Sequence, residues 1–193
     1  MLTTGVLLLG GLVSLMISQS RSASQLSICK SNLLKLGMGM ELFSNAAQEP
    51  TLPAGLTNEP FGEVPPSAIE RLSKMIQSVN DPRLLFICPA DVEAVEVGPH
   101  QPTGATISYF ISDEAAPQSW ALLAGDRNLT SNGAAVESGL FELMPNSIVG
   151  WTAKGHHLQG NVALGDGSVQ TKDGSQLTQY LRQGRGPQTI VVP

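Results

Sequence analysis

The side chains of this 193-residue chain that could do chemistry are two cysteines, a histidine pair and a scatter of carboxylates. Cys29 and Cys88 are the only cysteines. An even pair in an exported chain fits a disulfide; two buried free thiols are the other reading, because free cysteine packs as a small hydrophobe. His156 and His157 are adjacent, and neighbouring histidines usually point different ways. No third ligand stands at zinc spacing from them, so no metal site is expected. Calcium is the one alternative, through Asp113, Glu114, Asp126, Asp166 or Asp173, but these do not form the alternating run of oxygen ligands that a calcium loop uses. No cofactor is therefore expected. The chain holds no nucleophile elbow, phosphate loop or metalloprotease helix. A Ser/His/Asp set can be picked from any chain of this size and nothing here orders one, so no catalytic residue is assigned and the expectation is a protein that is not an enzyme. Asn128-Leu129-Thr130 matches a glycosylation sequon and is read as coincidence.

Composition narrows the partners. Net charge is −5 and no Lys/Arg cluster occurs, whereas nucleic-acid binding needs a basic patch to neutralise phosphates. No nucleic-acid partner is expected. Hydrophobic content of 41% supports one core, and 20 glycines with 13 prolines point to many turns and short strands in the body.

The elements that must position these residues begin with a long helix. The first charged residue is Arg21, and Gly5 to Ile17 is apolar apart from Ser14. That length suits either a membrane-anchoring helix or the core of a signal peptide cut near Ser20 to Ser24. Leu26, Cys29, Leu33, Leu36, Met40 and Phe43 continue at spacings of three and four, and no proline interrupts Met1 to Glu49. The pattern predicts one helix over residues 4 to about 45. Residues 1–20 form its hydrophobic, membrane-anchoring half, 21–49 its amphipathic half, and 50–193 a globular α+β domain.

Within that domain Pro50 to Pro66 reads as a loop, and Ser67 to Glu70 as a capping box opening a short helix through Val79. The period then changes to two. Leu84 to Cys88, Ile107 to Ile111, Trp120 to Ala124 and Gly139 to Met144 are strand candidates, with Thr189 to Val192 as a last edge strand. Asp166-Gly167 predicts a type I′ hairpin that pairs Leu164 with Val169 and Val162 with Thr171. Asp173-Gly174 leads into a helix from Ser175 to Gln183. Asp166 and Gly167 are thus assigned to turn geometry, with His156 capping or packing beside the hairpin. The Cys29–Cys88 contact, oxidised or not, would join the helix to the first strand.

Three segments carry a family resemblance: Cys29-Lys-Ser-Asn-Leu-Leu-Lys-Leu-Gly37 on the helix, Cys88-Pro-Ala-Asp91, and His156 followed after nine residues by Asp166-Gly167. Their order and spacing resemble the pilin-like proteins, relatives of type II secretion pseudopilins, of planctomycetes and verrucomicrobia; Ile107-Ser-Tyr-Phe110 and Ala124 to Thr130 are similar too. The resemblance spans about residues 5–193. It implies a long N-terminal helix packed on a small antiparallel sheet, in a structural subunit of a type II secretion or type IV pilus-like filament. Such a subunit is anchored in the inner membrane, packs on other pilin-like subunits through that helix, and displays its globular domain in the periplasm or outside the cell. Some secretion pseudopilins also bind calcium in a C-terminal loop. Members of the group begin with a short basic leader and Phe-Thr-Leu-x-Glu, whereas here Met1 enters the helix directly, about two turns in. Either the start lies upstream or prepilin-peptidase processing is lost. The alternative is a secreted or surface-tethered binding module with a cleaved signal peptide.

Overall fold

The computed structural model describes residues 2–46, 86–94, 107–113, 118–184 and 186–193. Helix α1 runs unbroken over Leu2–Ala46, 45 residues or about 68 Å at 1.5 Å per residue. Its side chains are described at Met16 and from residues 19 to 40. Within that stretch Cys29, Asn32, Leu33 and Leu36 are buried while Ile28, Leu34 and Met38 are exposed. The buried set falls at i, i+3, i+4 and i+7, one face of a 3.6-residue helix. Leu33 and Leu36 are fully covered, and each contributes about 2 kcal/mol by leaving water.

That face lies across an antiparallel sheet. The strands are β1 (Tyr109–Ser112), β2 (Leu122–Asp126), β3 (Leu129–Ser131), β4 (Ala134–Ala135), β5 (Gly139–Leu143), β6 (Val149–Trp151), β7 (Gln159–Leu164), β8 (Val169–Asp173) and β9 (Gln188–Val192). Six of them form one sheet in the order β5-β9-β1-β2-β7-β8, and three a smaller one, β4-β3-β6. Helix α2 (Gly174–Gln183) packs on β6 and β8. It starts at a capping box in which Asp173 accepts from Gln176 N at 2.9 Å and Gln176 Oε1 accepts from Asp173 N at 3.0 Å.

The large sheet is covered on both faces. Tyr109, Ile111, Leu123 and Ala163 pack with the α1 side chains, whereas Phe110, Leu122, Val162 and Ile190 pack with Leu129, Trp151, Leu177 and Leu181 behind the sheet. Alternating residues therefore feed two separate cores, and β1 is buried at all four positions. A register shift between Leu122 and Ala124 marks a bulge in β2. The fold is α+β, a long helix packed on a mostly antiparallel sheet, with a further layer behind it.

Several sequence expectations are corrected. Phe86 to Cys88 is not a strand; it lies beside β1, with Ser108 N donating to Phe86 O at 2.8 Å, and Pro89 has no N–H with which to extend a ladder. Strand β9 is interior rather than an edge, because β5 adds on its far side. In the β7–β8 hairpin Ala163 faces Val169 and Asn161 faces Thr171, one residue away from the predicted register. The loop holds three residues: Gly167 N donates to Leu164 O and Leu164 N to Ser168 O, both at 2.9 Å. Only Gly167, at φ 81°, is left-handed there. This is a tight turn followed by a glycine bulge, a form that needs one positive φ where the two-residue type I′ loop needs two. The two-residue form occurs instead between β3 and β4, where Asn132 (φ 51°) and Gly133 (φ 84°) are both left-handed. The predicted loop over 50–66 and the helix over 67–79 lie outside the described residues.

Among the described residues no helix is long and apolar enough to cross a membrane. The apolar run Gly5 to Ile17 falls, Met16 excepted, outside the residues whose side chains are described.

Candidate functional site: a disulfide, a histidine and an aspartate in one buried cluster

Where α1 meets the segment 86–94, Cys29 and Cys88 form a disulfide with a Cα–Cα distance of 5.2 Å. Cys29 is there because it lies on the apolar stripe, and Cys88 because the chain turns immediately after it. Asp91 N donates to Cys88 O at 2.9 Å, which closes the Cys88-Pro-Ala-Asp91 turn. Asp91 is gripped by Arg127, whose Nε lies 2.8 Å from Oδ2 and whose Nη2 donates to Oδ1 at 3.2 Å; such a two-pronged pair fixes geometry as well as energy. Gln25 Nε2 donates to Pro89 O at 3.0 Å, and Asn32 Nδ2 donates to Ile87 O at 3.2 Å, so polar residues of α1 hold the same segment.

Two titratable side chains close on the disulfide. His156 Nε2 lies 3.2 Å from Cys88 Sγ and 3.8 Å from Asp126 Oδ2. His156 is 4% exposed and Asp126 3%. His156 sits on a loop with left-handed backbone at Gly155 (φ 90°), His157 (φ 52°) and Leu158 (φ 65°). The two non-glycine positions there are strained, by about 1 kcal/mol or more each. Asp126, the last residue of β2, faces β7. Its Oδ2 accepts from Asn161 N at 2.7 Å and from Asn161 Nδ2 at 3.3 Å. Asn161 is itself held, since Thr171 Oγ1 donates to its Oδ1 at 2.8 Å and its Nδ2 reaches Leu26 O at 3.3 Å. Among the described residues Asp126 Oδ1 and His156 Nδ1 are buried without a hydrogen-bond partner, a cost of about 1–3 kcal/mol for each such atom.

Burial sets the protonation states. Loss of water pushes the Asp126 carboxyl up to about 7, against the hydrogen bonds from Asn161 and with the neighbouring Asp91 charge. The same desolvation, aided by His157, lowers His156. Burial therefore disfavours the charged form of both members of the 3.8 Å pair. Tyr109, 3.4 Å from Asn32 Nδ2, is raised by burial first and by Asp126 second and stays a neutral phenol.

Cys29, Cys88, Asp126 and His156 offer ligand atoms that all lie within 4.8 Å of one another. A groove of about 860 Å³ reaches the cluster and is lined by Cys88, Asp126 and His156 together with Asp91, Arg127 and Lys154. The other candidates stand apart. His156 precedes β7 and Asp166 follows it, so the six residues of strand hold the ends of the His-x9-Asp-Gly segment about 20 Å apart, and His156 does not pack at the Asp166 turn. Asp166 Oδ1 accepts from Ser168 N at 2.9 Å, inside the hairpin, and hydrogen bonding from Ser168 lowers its pKa. Asp173 is occupied in capping α2, with the same effect. Glu114 lies outside the described residues. Among the described residues the calcium candidates Asp113, Asp126, Asp166 and Asp173 do not share a site. Asn128 of the sequon donates to Lys154 O at 2.7 Å, and so braces the loop that carries His156.

The sequence reading missed Asp126 as the partner of His156. A signal existed: a carboxylate closing the apolar run Leu122-Leu-Ala-Gly-Asp126 is costly to bury without company. The fold and cluster define a class, an α+β domain whose long N-terminal helix is stapled by a disulfide to a two-faced antiparallel sheet. Beyond that class, no known protein family, curated protein or solved structure matches the chain.

Proposed function

We propose that this chain is a structural subunit of a type II secretion or type IV pilus-like envelope filament, anchored in the inner membrane by the first half of α1. The observation that carries the reading is the reach of α1. Among its described side chains the buried ones run from Cys29 to Gly37, and the helix extends a further 27 residues ahead of them, from Leu2 to Ile28, or about 40 Å. The stretch holds the apolar run Gly5 to Ile17 and no charge before Arg21. A helix that long and that apolar finds its partners beyond its own domain, in lipid and in the helices of neighbouring subunits. The fold supports the pilin-like reading as well, since the second half of the same helix covers one face of an antiparallel sheet. The role is structural and calls for no catalytic residue.

Fractionation of cells producing the chain, with sequencing of the mature N-terminus, tests the proposal. The expected result is a membrane-bound protein that retains the apolar run and cross-links to its own copies. A product in the soluble exported fraction that begins near residue 20 overturns it in favour of a secreted binding module.

A further inference from the structure

The Cys29–Cys88–Asp126–His156 cluster has a chemistry that a structural disulfide leaves unused. We propose that it is a metal site gated by the redox state of its cysteines: when the disulfide is reduced, the four side chains bind one borderline-soft divalent cation of the zinc class, and oxidation of the pair expels it.

Three observations carry this. The donor set, two sulfurs, one imidazole nitrogen and one carboxylate oxygen, is a four-ligand set suited to tetrahedral zinc, and its atoms already lie within 4.8 Å of one another. The oxidised arrangement leaves polar groups in unfavourable positions. A disulfide sulfur has no proton to give, so His156 Nε2 meets it at 3.2 Å as a donor, and Nδ1 is then left as a buried acceptor without a partner among the described residues. With a cation present Nε2 would turn its lone pair to the metal, which relieves its contact with the sulfur, while Nδ1 would carry the proton and still lack a partner among them. Third, the carboxylate is oriented from behind. Asn161 gives Asp126 Oδ2 two hydrogen bonds and is locked by Thr171 and Leu26, the kind of outer support that metal-ligating carboxylates have. The groove along Cys88, Asp126 and His156 supplies an entry path.

The chemistry balances. An external thiol or phosphine reductant delivers two electrons and the disulfide takes up two protons, giving two thiols. Each thiol loses its proton on ligation, so binding becomes tighter as pH rises. Two thiolates and one carboxylate against a divalent cation leave one negative charge, offset by the Asn161 N–H donors. In the reverse step a disulfide oxidant takes the two electrons of the thiolates by exchange, its own sulfurs leaving as two thiols, while the Cys29–Cys88 bond forms and the cation is released. A chain that passes from a reducing to an oxidising compartment would thus carry the cation first and the disulfide afterwards.

The experiment titrates Co²⁺, a spectroscopic stand-in for Zn²⁺, into the full chain in two states: disulfide intact, and reduced with a phosphine under anaerobic conditions. The expected result is one Co²⁺ per reduced chain with the ligand-field bands of a tetrahedral thiolate site, and no such bands with the disulfide intact. His156→Ala and Asp126→Asn should each weaken binding by about ten-fold or more, as should Asn161→Ala from behind the carboxylate. Circular dichroism of the oxidised variants checks that they fold. If reduction unfolds the wild type, Zn²⁺ must restore its native near-UV spectrum. A reduced chain that takes up no metal overturns the proposal. So do binding that persists in both His156→Ala and Asp126→Asn, binding equal in the two redox states, and a reduced chain that Zn²⁺ fails to refold.

Discussion

Asp126→Asn removes a charge that the fold tolerates poorly and keeps the size of the side chain, and its effect on stability should depend on pH. The Asp126 carboxyl is raised from 3.8 to about 7 by burial, so the native state holds its proton more tightly than the unfolded chain does. Between those values the native state binds more protons, and stability falls as pH rises. The penalty is absent below about pH 4 and complete above about pH 7; at 1.36 kcal/mol for each tenfold change in proton affinity it amounts to about 4 kcal/mol. Asparagine can still accept from Asn161 and carries no charge to desolvate. His156 acts with the opposite sign: lowered by burial, it disfavours the native state at acid pH, but in both proteins alike. Asp91 is gripped by Arg127, and Tyr109 does not ionise in this range. Urea unfolding with the disulfide intact and a chelator present, at steps from about pH 4 to about pH 8, should give nearly equal stabilities for the two proteins at the acid end. At the alkaline end the variant should be more stable by up to about 4 kcal/mol. A difference that stays constant to within about 0.5 kcal/mol across the range, or a wild type that gains on the variant as pH rises, refutes a carboxyl held neutral by burial.

Other outcomes follow from the β7–β8 hairpin and the disulfide. A Cβ at Gly165 would lie 2.1 Å from Gln118 O, whereas Gly167 has open space and only its φ of 81° to forbid a side chain. Gly165→Ala should therefore lower the melting temperature more than Gly167→Ala, and Gly167→Val should cost about 1–3 kcal/mol. Asp166→Asn should be nearly silent, because asparagine can accept from Ser168 N through its own carbonyl; a calcium-induced rise in melting temperature that this variant abolishes would count against the turn role. The double variant Cys29→Ser, Cys88→Ser frees a loop with a sequence separation of 59. It should lose about 4 kcal/mol by the loop-entropy relation, read as a shift in the denaturation midpoint without metal.

How much of this could be read beforehand depended on the range of the forces involved. The run of α1 was legible because an apolar stripe without a proline needs only local information, and Cys29, Leu33 and Leu36 are buried where the stripe put them. Strands β1, β2 and β5 were legible to within a residue or two from apolar runs. Strands β3, β4 and β6 are two or three residues long, too short to show a period, although Asn132-Gly133 marked the turn between two of them. The hairpin register failed because Asp-Gly serves both a two-residue loop and a three-residue loop with a bulge, and Gly165 decides between them through a contact with Gln118, 47 positions away in the chain. The cluster was half legible. The cysteines were paired by count, but Asp126 and His156 come together only through the path of β2 and the loop before β7, which no spacing records.

The staple between α1 and the segment 86–94 also determines how the molecule bears load. Without it, tension on the first turns of α1 would reach the sheet through side-chain packing, which yields one contact after another when a helix is peeled from a surface. With the Cys29–Cys88 bond in place, the load passes at Cys29 into a covalent link and from there into a turn clamped by Arg127 on Asp91. Residues 30 to 87 are bypassed as a line of force. Pulled from its far end, the helix then loads a covalent link as well as its packing, and cutting that single bond by reduction would turn a rigid joint into one that peels.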